Sequence, residues 1–187
     1  MSSKASLKEV FTEMLCFNEA FDTNFDSIDW VIEDGSYIGN AKLGNDEFIL
    51  HIEPTFSKIG DLDKSWLNIA FARLVDGKPS EEILNIGNQS RQFGAIIKAL
   101  SAKTLELTNK FHIDALVFIV KKGEEKRLSL YKRLAAAGRL GLHNWRLRFS
   151  TEWDYGYALV LSEKVLSTQE ESLLKTSIEE SGKQINF

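Results

Sequence analysis

The sequence predicts a mixed α/β domain of the α+β kind, in which one mixed sheet packs with helices. Three observations lead to this prediction. The chain has 187 residues, of which 43% are hydrophobic, so it can bury the core of one domain. Strand patterns joined by short turns fill its first half, and helical patterns alternate with strands in its second half. Residues 115–120 are apolar at every position, which indicates a central strand in a parallel pairing.

The first helix is expected over residues 7–21, before any strand. Its apolar side chains recur three and four residues apart, which is the pattern of an amphipathic helix. Ser6 and Glu9 stand three residues apart at its start, the spacing of a capping box. We therefore expect residues 1–27 to contribute a helix and an acidic segment ahead of the core.

The next part of the chain predicts an antiparallel meander. Residues 28–32, 37–43 and 47–53 have the composition of strands, and turn-forming residues join them. Pro54 is expected to end the third strand, because proline has no backbone N–H to donate to a sheet. A polar loop is then expected to lead to a strong strand over residues 66–75.

The second half predicts helices placed between strands. Apolar residues keep helical spacing over residues 88–111, and the apolar strand at 115–120 follows. A shorter helix is expected over 124–137, and residues 145–149 and 157–161 predict a hairpin.

A last amphipathic helix is expected to start near Ser167 or Thr168, with Glu170 or Glu171 as the partner in a capping box. All elements together make one domain over residues 1–187. Its parts are the N-terminal helix and acidic segment, the core, and the C-terminal helix, at 1–27, 28–162 and 163–187.

Composition argues against several classes of protein. No apolar run approaches the roughly 20 residues of a membrane span, and the first residues lack the apolar stretch of a secretory signal. The single cysteine, Cys16, cannot make an internal disulfide or a cysteine-based zinc site. The three histidines have no neighbour at metal-ligand spacing, so we expect no metal. The expected location is the cytoplasm, with no membrane partner.

Charge is unevenly distributed along a chain whose net charge is -4. Residues 9–34 carry eight acids and no Lys or Arg, whereas residues 121–148 carry nine bases and two acids. Either these are two solvated faces, or the basic segment is a docking surface for phosphates. Tyr131, His143 and Trp145 lie in the basic segment and can stack on nucleobases, so nucleic-acid binding is a second alternative function. The overall acidity and the lack of a recognisable binding module disfavour it.

The start of the long helix carries a candidate phosphate site. Backbone N–H groups at a helix N-terminus attract anions, while Arg91 adds charge and Gly94 allows close backbone approach. The spacing Arg91-x-x-Gly94 resembles the first two fixed positions in the pyrophosphate loop of the GNAT family, the acyl-CoA-dependent N-acyltransferases; Ile96 stands at the third. The resemblance implies acetyl-CoA or another acyl-CoA as co-substrate. The binding residues it implies are Phe71, Ala72, Arg73, Leu74, Arg91, Gln92, Phe93, Gly94 and Ala95.

A second match lies in the helix after the apolar strand. Residues 128–134 resemble the GNAT helix whose tyrosine protonates the departing CoA thiolate, so the resemblance implies Tyr131 as the general acid. In such folds the strands at 66–75 and 115–120 separate, and acyl-CoA enters the gap. Glu53 and Asn68 are the implied base or water-holding residues.

Residues 91–136 are also similar to small GNAT-like proteins of tailed bacteriophages. We therefore expect an acyl-CoA-dependent N-acyltransferase whose acceptor is an amine on a small molecule or a protein. The first alternative is a catalytically silent bacteriophage protein of the same fold, which binds a host protein or forms part of the virion. For a phage-encoded protein the expected location is the host cytoplasm or the virion.

Overall fold

The computed structural model describes residues 28–43, 46–59, 62–80, 90–136 and 144–184. Eight strands and three helices lie in these ranges. The strands are β1 (Asp29–Glu33), β2 (Ser36–Leu43), β3 (Asp46–Ile59), β4 (Leu62–Val75), β5 (Lys78–Ser80), β6 (Ala115–Lys121), β7 (Arg146–Trp153) and β8 (Gly156–Ser162). The helices are α1 (Ser90–Phe111), α2 (Glu125–Ala136) and α3 (Thr168–Gln184).

All of these strands join one mixed sheet. Seven follow the order β1-β2-β3-β4-β6-β8-β7, and the short strand β5 pairs with the end of β4. Neighbouring strands are antiparallel except for β4 and β6, which are parallel. The predicted mixed α/β class is therefore confirmed, with a meander in the first half and helices between strands in the second.

The helices divide between the two faces of the sheet. Side chains alternate between these faces along each strand. Helices α1 and α2 pack on one face, where Leu67, Ile69 and Phe71 of β4 enter the core. Helix α3 packs on the opposite face, where Leu174 and Trp66 share a core with side chains of β6 and β8. We call these the α1/α2 face and the α3 face.

Strand β6 lies where the two cores meet. Its first six residues are buried, because helices cover it on both faces. Its pairing with β4 is parallel, with Trp66 opposite Ala115. The parallel central strand predicted from its apolar composition is therefore confirmed.

The prediction that Pro54 ends a strand is wrong, and so is the polar loop predicted after it. Strand β3 continues through Pro54 to Ile59, and β4 begins at Leu62 to pair with it. Pairing between β3 and β2 stops at Ile52, so Pro54 has a neighbouring strand on one side only. Proline is tolerated in such an edge position, because the missing N–H interrupts no second ladder.

Helix α3 begins with the predicted capping box. Ser167 Oγ accepts a hydrogen bond from the Glu170 N–H at 3.2 Å, and Glu170 Oε2 accepts one from the Ser167 N–H at 2.9 Å. These bonds satisfy donors that have no partner inside the helix.

The predicted helix over residues 7–21, together with Cys16 and the rest of 1–27, lies outside the described residues. Within the five described ranges, no helix combines the length and the apolar character that crossing a membrane requires.

Candidate active site

The parallel ladder between β4 and β6 is short. It joins residues 66–69 to residues 115–118, and Ile69 with Phe118 is its last pair although both strands continue. From Arg73 onward, β4 pairs with β5, while β3 occupies its other side. The described pairing between the two central strands therefore ends at Ile69 and Phe118. We call the space beside residues 70–72 the strand gap.

Tyr131 of α2 lies at the base of the strand gap, on the α1/α2 face. Its ring centroid is 5.3 Å from that of Phe71 on β4 and 5.3 Å from that of Phe118 on β6. Oη is completely buried and has no hydrogen bond of good geometry within the described part of the chain. Burial raises the pKa of the Tyr131 phenol above its ordinary value of 10.0, and Arg127 and the backbone of Phe71 oppose this only in part. The hydroxyl is therefore protonated at neutral pH.

The implied pyrophosphate residues 91–95 form the first turns of α1, which begins at Ser90. The first amides of a helix have no partner inside it, so this end is a site of positive potential. Gly94 is half-buried, and Ile96 is completely buried in the same core as Tyr131. Four side chains lie outside the described part: those of Arg91, Gln92, Phe93 and Ala95.

The other residues implied in co-substrate binding lie along β4. Phe71 and Ala72 are buried beside the strand gap, whereas Arg73 and Leu74 are half-buried where β4 pairs with β5. The ring of Phe71 contacts the ring of Tyr131.

Glu53 and Asn68 face each other across β3 and β4. Asn68 is buried, and its Nδ2 donates to Thr55 Oγ1 at 3.0 Å and to Glu53 Oε2 at 3.5 Å. Glu53 is half-buried. Leu67 and Ile69, on either side of Asn68 along β4, point to the α1/α2 face, so the side chain of Asn68 lies on the α3 face. Glu53, its partner on β3, lies on the same face.

The structure thus divides the predicted catalytic residues between the two faces of the sheet. Tyr131 lies on the α1/α2 face, whereas Glu53 and Asn68 lie on the α3 face. Asn68 is the residue before Ile69, which makes the last pair of the parallel ladder with Phe118. Tyr131 is therefore separated from Glu53 and Asn68 by the sheet itself.

Comparison with known proteins assigns the chain to no group. Its sequence matches no protein-family model and no curated protein. A proposal of function therefore depends on the geometry of the strand gap and on the motifs that surround it.

Across the described ranges, no three side chains of His, Cys, Asp or Glu come together in a way that could hold a metal ion. His51 lies on β3 and is half-buried on the α3 face, two residues before Glu53. The sequence predicts no metal-binding role for His51, because it has no neighbour at metal-ligand spacing. His51 and Glu53 are two residues apart in a predicted strand, and side chains at that separation lie on one face of a sheet.

A buried ion pair in the basic segment was not predicted from the sequence. Arg127 Nη1 lies 2.9 Å from Glu124 Oε2, and Arg127 Nη2 donates to the backbone oxygen of Ser80 at 3.0 Å. The side chains of Arg127 and Glu124 are only 12% and 8% exposed. Their separation of three residues was the available signal, since i and i+3 lie on one side of a helical turn.

Two of the three side chains proposed to stack on nucleobases are buried. Tyr131 and Trp145 are both buried in the core of the α1/α2 face, and His143 lies outside the described residues. Lys122 of the basic segment pairs with Glu152. Stacking by Tyr131 or Trp145 would require them to leave the core, so the structure offers nucleic acid no aromatic platform at these two positions.

Proposed function

We propose that this chain is an acyl-CoA-dependent N-acyltransferase of the GNAT type. The observation that carries the proposal is the parting of β4 and β6 after Ile69 and Phe118, with Tyr131 packed at the base of the gap. The order of elements supports it, because a meander followed by helix, strand, helix and hairpin is the GNAT-like order. The Arg91-x-x-Gly94 motif at the start of α1 supports a pyrophosphate site.

In this proposal the thioester lies in the strand gap and a neutral amine attacks its carbonyl carbon. A C–N bond forms and the C–S bond breaks, and the departing thiolate takes the proton of Tyr131 Oη. The amine nitrogen gives up its extra proton, which returns to the phenolate through solvent. A backbone N–H of β4 stabilises the oxyanion, because a fixed donor in a dry site stabilises charge that develops there.

Thermal unfolding with acyl-CoA tests the proposal most directly. A ligand at about 100 times its Kd stabilises the folded state by about 2.7 kcal/mol, which raises Tm by about 5–11 °C in a domain of this size. We expect this shift with acetyl-CoA, succinyl-CoA or a longer acyl-CoA. If none of them shifts Tm, the transferase proposal is overturned.

Arg91→Ala and Lys98→Ala make a matched pair of variants, since each removes one positive charge from α1. Arg91 is in the first turn, whereas Lys98 is exposed about two turns further along. We expect Arg91→Ala to raise the Kd for acetyl-CoA at least about tenfold, because it removes a charge-assisted bond to phosphate. Lys98→Ala should leave the Kd unchanged in the same calorimetric titration. Equal effects of the two variants would contradict the proposed pyrophosphate site.

Tyr131→Phe separates catalysis from binding, because it removes only the hydroxyl. We expect kcat, followed by release of the CoA thiol, to fall by about 10²–10⁴ while the Kd for acetyl-CoA stays the same. An unchanged kcat would show that another group protonates the thiolate.

The alternative is a catalytically silent bacteriophage protein of this fold, and the enclosure of Tyr131 favours it. The phenol has no exposed surface, so a substrate reaches Oη only if the side chains around it move. A protein that no acyl-CoA stabilises, yet which unfolds cooperatively, would use the fold to bind a host or virion protein.

A further inference from the structure

We infer that copies of this chain associate head to tail, with the edge strand β1 of one copy docked on the edge strand β7 of the next. This association lies away from the strand gap and goes beyond acyl transfer. It uses the two segments of opposite charge, residues 9–34 and 121–148, whose charge the proposed function does not use. Strand β1 lies in the acidic segment, and β7 begins in the basic one.

The outer edge of β1 is acidic and partly apolar. Among the described strands β1 has a neighbour on one side only, so alternate backbone N–H and C=O groups along it face away from β2. Val31 and Ile32 are exposed in the middle of the strand. Asp29 and Glu33 at its ends are exposed too, and they form no ion pair with another described residue. Neither lysine nor proline, which commonly protect an edge strand, occurs in β1.

The outer edge of β7, at the other end of the sheet, is basic where the strand begins. Within the described ranges β7 pairs with β8 alone. Arg146 and Leu147 are exposed, and Arg148 lies at an irregularity in the ladder with β8. Arg148 donates to the backbone oxygens of Ser162 and Glu163, at 3.1 Å and 2.7 Å. These acceptors are uncharged amides, so the two bonds hold the guanidinium in position without neutralising it.

The two edges of one molecule cannot reach each other. Five strands lie between β1 and β7, so the edges are six strand spacings apart, or about 30 Å. At about 0.1 M salt, interactions between exposed charges are screened beyond about 10 Å. The opposite charges of β1 and β7 are therefore free to attract other molecules rather than each other.

The signs of these charges select a second copy of this chain as the partner. Contact between two β1 edges would bring acids together, and contact between two β7 edges would bring arginines together; like charges across an interface disfavour both. Contact between β1 and β7 brings the acids of one copy to the arginines of the next. It also places Ile32 near Leu147, so exposed apolar surface is buried on both sides. Each added copy keeps one free edge, so the association does not stop at a dimer.

Sedimentation velocity of the full chain at increasing protein concentration tests the inference. In about 0.1 M NaCl we expect the average sedimentation coefficient to rise past that of a dimer, because every assembly ends in two free edges. In about 1 M NaCl the screening length falls to about 3 Å, and we expect the dissociation constant to rise several-fold.

Two single variants each block one edge. Ile32→Lys puts a cation on β1, where it meets the arginines of β7, and Leu147→Glu puts an acid on β7, where it meets the acids of β1. Both positions are exposed, so Tm should stay close to that of the parent chain. Each variant should raise the dissociation constant at least about tenfold, and Glu33→Lys is a second variant of the β1 edge. The matched controls are Val75→Lys and Val75→Glu, at an exposed apolar position on the central strand β4; they should associate like the parent chain.

An equal mixture of Ile32→Lys and Leu147→Glu gives the sharpest result. Ile32→Lys keeps an intact β7 edge and Leu147→Glu keeps an intact β1 edge, so the mixture should form a dimer of one copy of each and nothing larger. A parent chain that stays monomeric, or a mixture that does not dimerise, would overturn the inference. So would a Leu147→Glu variant that still dimerises by itself, since that result indicates contact between two β1 edges. Association that salt does not weaken would contradict the pairing of opposite charges.

Discussion

At the scale of single residues, the hydroxyl of Tyr131 contributes little to stability, because it has no hydrogen bond of good geometry among the described residues. Tyr131→Phe keeps the ring between Phe71 and Phe118. We expect the free energy of unfolding in urea at pH 7 to change by less than about 1 kcal/mol. Tyr131→Ala also removes the ring and should cost about 3–5 kcal/mol. A loss in Tyr131→Phe as large as that in Tyr131→Ala would mean that the hydroxyl holds the fold together.

The same residue makes the protein sensitive to alkaline pH. Burial raises the pKa of Tyr131 in the folded state above its ordinary value of 10.0, which applies to the unfolded chain. Below pH 10.0 both states hold the proton; above it the unfolded state releases its proton first, so the free energy of unfolding falls as pH rises. Tyr131→Phe lacks this proton, so its stability should fall less steeply above pH 10. If urea titrations above pH 10 show the free energy of unfolding falling equally steeply in the two proteins, the proton of Tyr131 is not the cause of the alkaline sensitivity.

Arg127 is a structural residue although it lies in the basic segment. Arg127→Met removes the cation beside the buried carboxylate of Glu124 and the bond to Ser80 that ties α2 to β5. We expect a loss of about 3–5 kcal/mol in the free energy of unfolding, the cost of breaking one half of a buried ion pair. The double variant Glu124→Gln/Arg127→Met leaves no buried charge and should lose less than the single variant. A double variant that is less stable than Arg127→Met would contradict this account.

At the scale of elements, prediction succeeded where one local pattern decides the outcome. The capping box of Ser167 and the apolar strand β6 each depend on residues close together in the sequence. It failed at Pro54, because the cost of proline depends on whether β2 still runs beside β3 at that point, and this is set by the length of a different strand.

The candidate site shows the same limit. The family resemblance implied Tyr131, the start of α1, and Glu53 with Asn68 as site residues. That these groups lie on opposite faces of the sheet follows from the register of β3 with β4 and from the face on which α2 packs. Register and packing are long-range properties, so one sequence could not provide them.

Glu170 of α3 accepts a hydrogen bond from Lys64 of β4, and this contact between helix and sheet is sensitive to acid. Lys64, at 2.6 Å, and then Ser167 hold the pKa of Glu170 at about 2, below its ordinary value of 4.5. The stabilisation is complete above pH 4.5 and is lost as pH falls toward 2. We expect Glu170→Gln to lower the free energy of unfolding at pH 7 by about 1 kcal/mol, because glutamine can still accept the bond from the Ser167 N–H but loses the ion pair with Lys64.

The difference between Glu170→Gln and the parent chain should shrink as the pH of the urea titration is lowered from 4.5 toward 2. Glu171→Gln is the matched control, since it removes the same charge from the next residue, whose described contact with Ser167 is through its backbone. An equal loss in Glu171→Gln would assign the effect to net charge rather than to the contacts of Glu170.

At the scale of the whole molecule, the sheet is unevenly supported. Helices cover β6 on both faces, and β4, β6 and β8 contribute to both cores. Among the described strands, β1 pairs only with β2, and Val31 and Ile32 on it are 47% and 63% exposed. Burial of apolar surface is the main source of stability, so the free energy of local opening should decrease from the centre of the sheet toward β1.

Native-state hydrogen exchange of the full chain measures this gradient. We expect the amides of β6 at 116–118 to exchange only through global unfolding, and those of β1 to exchange through local opening with a much lower free energy. Addition of acetyl-CoA should slow exchange most beside the strand gap, at residues 70–72, because the ligand stabilises only states in which the gap is intact. If β1 is as protected as β6, the packing of the two helical layers does not determine where the molecule opens. Uniform slowing by acetyl-CoA, with no maximum at 70–72, would move the binding site away from the gap.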